Sequence, residues 1–99
     1  MFESVYEACM EHELRKAGVQ VRRQVPVQVT YDGLEFDEAY RLDLLVEDQV
    51  VVELKTTETV QPVHKAQLLT YLRLAKKRLG LLITFNVTLL KDGVTRLIT

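Results

Sequence analysis

Two apolar runs joined by three polar residues constrain the fold of this chain more than any other feature. Residues 42–46 read LDLLV, residues 50–54 read VVVEL, and EDQ lies between them. If EDQ is the loop of an antiparallel hairpin, one face of that hairpin is wholly apolar. The pairs on this face are Val46 with Val50, Leu44 with Val52, and Leu42 with Leu54. A shorter or longer loop would break the match, and burial of one face specifies strand register strongly.

The same register brings two carboxylates together on the other face of the hairpin. Asp43 faces Glu53, and Arg41 faces Lys55. Directly opposed side chains have Cβ atoms about 4.5–5.5 Å apart, and like charges so placed are destabilising. A proton held by one carboxyl group or a bound cation relieves the repulsion, and carboxylate oxygens suit Mg²⁺ or Mn²⁺. Lys55 lies one step further along this face, where it can hold a phosphate or a developing hydroxide.

A solvated face or an ordinary ion pair is the alternative interpretation of Glu53 and Lys55. Both residue types are mostly exposed in proteins and are rarely fully buried unless they are paired. The alignment of Asp43 with Glu53 is what favours a functional site over this alternative.

The first half of the chain predicts a helix followed by a long strand. Residues 2–17 carry apolar side chains at helical spacing and are followed by Gly18, a suitable helix stop. Residues 19–31 alternate, which predicts a strand with all its valines and Tyr31 on one side. Pro26 bends this strand or places it at a sheet edge.

The second half predicts a mixed sheet with a second long helix. Asp32-Gly33 is a two-residue hairpin signal. The next strand starts at Leu34. It either ends before residue 40 or continues into the strand predicted over 40–46. The remaining predicted elements are a strand over 50–55, a helix over 62–78 with Pro62 in its first turn, an apolar central strand over 79–85, and a hairpin at Asp92-Gly93 that returns through 94–98. This order predicts an α/β (α+β) fold.

Composition and charge narrow the class of protein. A net charge of −1 argues against a chain held to nucleic acid mainly by excess positive charge. Cys9 is the single cysteine, so two-cysteine zinc motifs are excluded, and we interpret Cys9 as a small core residue. The N-terminal residues lack the apolar region of a signal peptide, and no apolar run reaches about 18 residues. We therefore expect one cytoplasmic domain over residues 1–99, with no membrane segment.

Asp43 and the ELK of residues 53–55 resemble the metal-binding strand pair of the PD-(D/E)xK nuclease superfamily. The predicted order is similar to its restriction-endonuclease-like αβββαβ core, a mixed sheet flanked by two long helices. Longer stretches are similar to the GxxExxY family of small prokaryotic proteins within that superfamily, namely ESVYEACMEHELRKAG, YRLDLLVED, VVELK, PVHKAQLLTYLRL and LGLLITFN. Glu3 and Tyr6 of the naming signature are present, and its glycine falls before Met1. The resemblance implies a domain shortened at its N-terminus, which favours dimerisation or reduced activity.

The resemblance implies a role for each residue of the hairpin site. Asp43 and Glu53 bind Mg²⁺ or Mn²⁺ together with the main-chain carbonyl of Leu54. Lys55 orients the attacking water or stabilises the charge of the transition state. The implied reaction is metal-assisted hydrolysis of phosphodiester bonds, with DNA as the expected substrate.

The two helices supply further candidates. The resemblance implies that a helix-borne acid, Glu3 or Glu7, approaches the metal, although both also fit a solvated helix face. Gln67 and Tyr71 are similar to the Q-x-x-x-Y element of RecB-type members, which supports the active site and contacts nucleic acid. An ordinary amphipathic helix gives the same pattern, and we expect the neighbouring His64 to lie at the surface or behind the site rather than to bind metal.

The last turn of the second helix is basic. It contains Arg73, Lys76, Lys77 and Arg78. These side chains either interact favourably with the helix C-terminus or contact phosphate groups of a nucleic acid. The sequence leaves both interpretations open.

Two other functions compete with a nuclease. One is a catalytically inactive nuclease-fold module that binds nucleic acid or protein, since common folds host several functions. The other is a hairpin scaffold with ion pairs and no ligand. For the nuclease we expect a homodimer, which would double the footprint on DNA and allow both strands to be cut.

Overall fold

A computed structural model describes residues 2–57, 59–85 and 93–99 of the chain. The elements within these residues are α1 Glu3–Lys16, β1 Val21–Tyr31, β2 Leu34–Val46, β3 Val50–Lys55, α2 Pro62–Ala75, β4 Leu79–Thr84 and β5 Val94–Ile98. This confirms the predicted α+β fold with a mixed sheet and two long helices, and the architecture is consistent with a restriction-endonuclease-like domain.

The five strands form one sheet in the order β1-β2-β3-β4-β5. Neighbouring strands are antiparallel except β3 and β4, which are parallel. Parallel neighbours need a long crossover connection, and α2 provides it. The predicted central position of β4 is confirmed, and β1, which contains Pro26, lies at an edge of the sheet.

The β2–β3 hairpin has the predicted loop but a shorter ladder than expected. Its register pairs Val46 with Val50, Leu45 with Val51, and Leu44 with Val52, so the three-residue loop is confirmed. The further pairs of Leu42 with Leu54 and Arg41 with Lys55 are wrong. Leu42 packs in the core beneath α2, whereas Leu54 packs in the core beneath α1.

The neighbouring strand β1 also changes face, at Gln24. Gln24 has a φ of 52°, and a left-handed residue interrupts strand alternation as a bulge does. Val21 therefore packs beneath α1, whereas Val27 packs beneath α2. The prediction that all valines of β1 share one side is wrong for this reason.

Helix α2 packs closely on the sheet through two leucines. Leu68 and Leu72 are buried, and a Cβ atom added at Gly80 of β4 would lie 3.1 Å from each of their side chains. The predicted start at Pro62 is confirmed. The helix ends at Ala75, earlier than predicted, because Lys76 adopts a left-handed conformation with a φ of 59°, a common way to end a helix.

The end of β1 and the start of β2 project from the rest of the sheet as a two-stranded arm, which comprises residues 28–39. None of these residues is buried. Asp32 and Gly33 have φ values of 49° and 79°, so the predicted two-residue hairpin is confirmed. β2 is continuous from Leu34 to Val46, so of the two predicted alternatives the one in which the strand runs on past residue 40 is correct. The apolar face of the arm is strongly exposed, at 71% for Tyr31, 59% for Leu34 and 48% for Phe36.

Three smaller expectations have different outcomes. Cys9 is exposed, and its prediction as a core residue is wrong, because it lies off the α1 stripe whose Met10 and Leu14 pack on the sheet. The Asp92 half of the last hairpin signal and Asn86 lie outside the described residues. Neither α1 nor α2 has the length and apolar character that a membrane-spanning helix requires.

Candidate active site

The β2–β3 ladder ends where the two predicted acids begin, and their side chains replace it. The Leu54 N–H donates to Asp43 Oδ2 at 2.9 Å, and the Asp43 N–H donates to Glu53 Oε1 at 3.3 Å. Each carboxylate is thus bonded to the backbone of the opposite strand. Glu53 is only 7% exposed, and Asp43 is half-buried. The structure brings the two acids together, although not as a regular cross-strand pair.

Burial and nearby negative charge raise the pKa values of both carboxyl groups. Burial, followed by the charge of Asp43, raises the pKa of Glu53 to about 8. Burial also raises the pKa of Asp43, against the lowering effect of the hydrogen bond from Leu54. Lys55 is close enough for its charge to lower both pKa values. The pair therefore retains a proton near neutral pH, and a bound cation would replace that proton.

Two stacked tyrosines stand beside the carboxylates. The ring centroids of Tyr40 and Tyr71 are 4.2 Å apart at an interplanar angle of 12°, and Tyr40 Oη donates to the Tyr71 carbonyl at 3.4 Å. Burial, with the charges of Tyr71 and Glu53, raises the pKa of Tyr40 to about 12. Burial and the charges of Glu53 and Asp43 raise the pKa of Tyr71, and a hydrogen bond from Gln67 offsets part of this. Both phenols are therefore neutral and border the acid pair.

Glu7 is the helix-borne acid that reaches this region. It is 4% exposed. Arg23 Nε donates to Glu7 Oε1 at 3.1 Å, and Gln24 Nε2 donates to both carboxylate oxygens at 3.1 Å. Consecutive strand residues normally point to opposite faces, and the left-handed Gln24 allows both side chains to meet Glu7. The charge of Glu7 raises the pKa of Asp43, whereas Glu3 is exposed.

The middle of α2 faces the site and its first turn does not. Tyr71 and Gln67 interact with each other beside the acids, as described above. His64 instead accepts a hydrogen bond at Nδ1 from the Gln61 N–H at 3.1 Å. His64 therefore caps the helix.

The basic end of α2 lies at the far end of β3 from the acids. β4 starts at Leu79 opposite Val50, and Thr84 lies opposite Lys55, so the two ends of β3 are roughly 16 Å apart at the usual rise per residue. Lys77 Nζ donates to the Asp48 carbonyl at 2.7 Å and to its Oδ1 at 3.4 Å. For Lys77 the structure favours a role in fixing the β2–β3 loop over one in binding phosphate.

The donors at this site fit a magnesium-like ion better than zinc. Within the described ranges, no group of three or more His, Cys, Asp or Glu side chains is arranged to hold a metal ion. The side chains that could hold a metal ion here are the carboxylates of Asp43 and Glu53, with main-chain oxygens such as that of Leu54 beside them. Mg²⁺ keeps several waters and is commonly bound by one or two carboxylates plus substrate phosphates. Structural Zn²⁺ requires four protein ligands.

Comparison with known proteins identifies the class to which this chain belongs. The sequence model of the PD-(D/E)XK nuclease superfamily matches residues 1–97, and the chain belongs to that superfamily. The fold is similar to the crystal structure of SSO0001, with a TM-score of 0.60 at 19% identity. That similarity covers 94% of this chain and 46% of the SSO0001 chain, so this chain spans about half of its length. No curated protein sequence matches the chain.

Sequence reasoning gave no role to Tyr40 or to the pair Arg23 and Gln24. The signal for Tyr40 is its place on the same strand as Asp43, which is too general to predict a ring stack. Gln24 has no signal, since a left-handed glutamine within a strand depends on tertiary contacts with Glu7.

Proposed function

We propose that the chain is a metal-dependent nuclease that hydrolyses phosphodiester bonds in DNA. The observation that carries this proposal is the buried Glu53 next to Asp43, in a member of a nuclease superfamily. A buried pair of repelling carboxylates costs stability unless a proton or a cation neutralises it. A cation site explains why the chain keeps such a pair.

The residues that would hold Mg²⁺ or Mn²⁺ are Asp43, Glu53 and the main-chain carbonyl of Leu54. When bound, the metal would supply a polarised phosphoryl oxygen and an activated water molecule. Lys55 follows Glu53 on the same strand face, so its ammonium group orients the water or stabilises the charge that develops on phosphorus oxygens. Tyr71 and Gln67 line the approach, and Glu7 fixes β1 against the site through Arg23 and Gln24.

The finer assignments follow from the sequence resemblance. We infer that the chain is a member of the GxxExxY family, that DNA is its substrate, and that it acts in the cytoplasm. The stacked rings of Tyr40 and Tyr71 beside the acids support aromatic contacts with bases.

Calorimetric titration of Mn²⁺ into three proteins tests the metal site. We expect a one-site isotherm for the wild type, loss of binding in Glu53→Gln, and wild-type binding in the control Glu3→Gln, an exposed acid on α1. Binding that survives in Glu53→Gln would contradict the assigned ligand. A broad screen of DNA and RNA substrates with Mn²⁺ then identifies what is cut.

The main competing function is a nuclease-fold module without catalysis. One observation favours it: the hydrogen bonds of Asp43 and Glu53 to opposite strands satisfy both groups without a metal. In that case the pair is a clamp that continues the β2–β3 ladder. Asp43→Asn would then raise stability without loss of any measured activity, and Mn²⁺ would not bind up to millimolar concentrations.

A further inference from the structure

The outer strand of the arm has a free edge that can pair with another strand. β1 is the first strand in the sheet order, so no strand lies beyond it in the part of the chain that the structure describes. Natural edge strands are commonly blocked by a lysine or a proline. Residues 27–31 read VQVTY and contain neither. The register shift between Val27 and Val29 adds residues to β2, on the side away from this edge.

One face of the arm is apolar and open. The register pairs Val29 with Phe36 and Tyr31 with Leu34, and directly paired residues share a sheet face. Phe36, Tyr31 and Leu34 are all exposed. A third strand is what usually makes a two-stranded ribbon with an apolar face stable. A strand added at the free edge would widen this face and cover part of it.

The other face of the arm is acidic. Residues 28–39 include four acids and no lysine, arginine or histidine. Glu35 pairs with Thr30 on the face opposite the apolar one, and Asp37 accepts a hydrogen bond from Gln28 at 3.3 Å. Within the described residues, neither Glu35 nor Asp37 forms an ion pair. Their charges are therefore available to a partner.

The sign of this charge decides which partner fits the edge. The arm holds four of the 14 acidic side chains of the chain and none of its 13 lysines and arginines. It would repel the phosphates of a nucleic acid, which bind to basic surfaces. The arm of a second copy would add four more carboxylates beside these, and like charges on paired strands are destabilising. A basic strand is the occupant that the charge favours.

We propose that the arm binds an extended segment of a partner protein in which basic and apolar residues alternate. The segment lies along residues 28–31 as a third strand, in the way that peptides add to exposed sheet edges. Successive side chains of a strand point to opposite faces. Its apolar residues therefore join the face of Tyr31 and Phe36, and its lysines or arginines join the face of Glu35.

The added strand leaves the acid pair of the candidate site open. The register places Asp43 opposite Gln24, between the pairs of Arg23 with Leu44 and Val25 with Leu42. The proposed docking segment begins about 13 Å further along β1 at the usual rise per residue. Binding at the arm is therefore independent of nuclease activity, and each can be present without the other.

An NMR titration of the isotope-labelled full chain with the capped peptide KVKVKV provides the test. We expect a Kd below about 1 mM and shift changes centred on residues 27–38. At saturation, the outward amides of residues 28–31 should exchange at least about tenfold more slowly, because peptide carbonyls accept their hydrogen bonds. EVEVEV reverses the charge and KKKVVV removes the alternation. Neither control peptide should bind.

A charge exchange on the arm separates strand pairing from general attraction. Glu35→Lys combined with Asp37→Lys should weaken KVKVKV binding by about tenfold or more and should allow EVEVEV to bind, since cross-strand attraction becomes repulsion. Glu3→Lys combined with Glu13→Lys is the matched control. It changes the net charge equally at two exposed acids of α1 and should bind KVKVKV like the wild type. Circular dichroism verifies that each variant is folded.

Several results with the wild-type protein would overturn the proposal, whatever the fate of the variants. These are no binding of KVKVKV up to about 1 mM, equal binding of KVKVKV and KKKVVV, or unchanged amide exchange in the arm at saturation. Shift changes in the arm caused by a single-stranded oligonucleotide in place of the peptide would assign the arm to nucleic acid. Arm shifts that depend on protein concentration without peptide would assign it to a second copy.

Discussion

At the scale of single residues, Glu53 is an acid that the fold removes almost completely from water. Burial and the charge of Asp43 raise the pKa of its carboxyl group, and the charge of Lys55 lowers it. Burial is the largest of these influences and favours the protonated form. The free energy of this proton is part of the stability of the fold.

We expect the metal-free protein to lose stability as the pH rises from about 5 to about 8, since the folded state then holds a proton that the unfolded state has released. The pKa of Glu53 is raised from 4.5 to about 8, which sets this window. The slope for one proton is at most about 1.4 kcal/mol per pH unit. Urea denaturation in the presence of a chelator measures it.

The matched variants for this prediction are Glu53→Gln and Glu3→Gln. Glu53→Gln should show a flatter profile and should exceed the wild type in stability at alkaline pH, because it removes a buried negative charge and the repulsion between that charge and Asp43. Glu3→Gln, which alters an exposed acid, should follow the wild type. Parallel profiles for the wild type and Glu53→Gln would show that the pKa of Glu53 is not raised in the folded state.

Lys55 permits a separation of binding from chemistry. Lys55→Ala should reduce DNA cleavage by at least about 100-fold, the usual effect of removing one group that stabilises transition-state charge. Mn²⁺ affinity should stay near that of the wild type, because an ammonium group is not a metal ligand. Equal losses of cleavage and of Mn²⁺ affinity would contradict the role assigned to Lys55.

At the scale of elements, α2 packs closely on β4 at Gly80. Gly80→Ala should lower the free energy of unfolding by about 1–3 kcal/mol, the usual cost of overpacking a core. The added methyl group would meet Leu68 and Leu72 at 3.1 Å. As a control, Lys65→Ala on the exposed side of α2 should change the free energy of unfolding by less than about 0.5 kcal/mol. Equal urea midpoints for wild type and Gly80→Ala would indicate that α2 can shift away from β4.

The elements themselves could be predicted from sequence because their signals are local. The loop before Val50, the hairpin at Gly33 and the helix start at Pro62 each depend on a few neighbouring residues. The change of face at Gln24 could not be predicted, because it depends on contacts with Glu7 on a different element.

Some features of the candidate site could likewise be predicted from the sequence, and others depend on the fold. The approach of Asp43 to Glu53 follows from loop length and hydrophobic register, so the sequence predicts it. The tyrosine stack depends on how α2 lies across the sheet, and only the fold places Tyr40 against Tyr71. The choice of Glu7 over Glu3 likewise depends on the docking of α1.

At the scale of the whole molecule, the arm is a lightly packed part of the described chain. Residues 28–39 contain no buried side chain, and two-stranded hairpins are marginally stable by themselves. We expect amide hydrogens of the arm to exchange at least about tenfold faster than those of β3 and β4, since local opening needs less free energy there. Exchange followed by mass spectrometry or NMR measures this, and equal protection of the arm and β3 would contradict it.

The order of the site residues along the chain has a consequence for the kinetics of folding. Asp43 and Glu53 are 10 residues apart in one hairpin, whereas Tyr71 reaches them only after α2 has crossed to pair β3 with β4. Hairpins form within microseconds, and non-local parallel pairing is slow. The two carboxylates thus approach each other in the early hairpin, where both are still solvated. Their repulsion increases later, when the native packing excludes water from the site. Stopped-flow measurements should therefore show alkaline pH accelerating unfolding while the refolding rate stays unchanged.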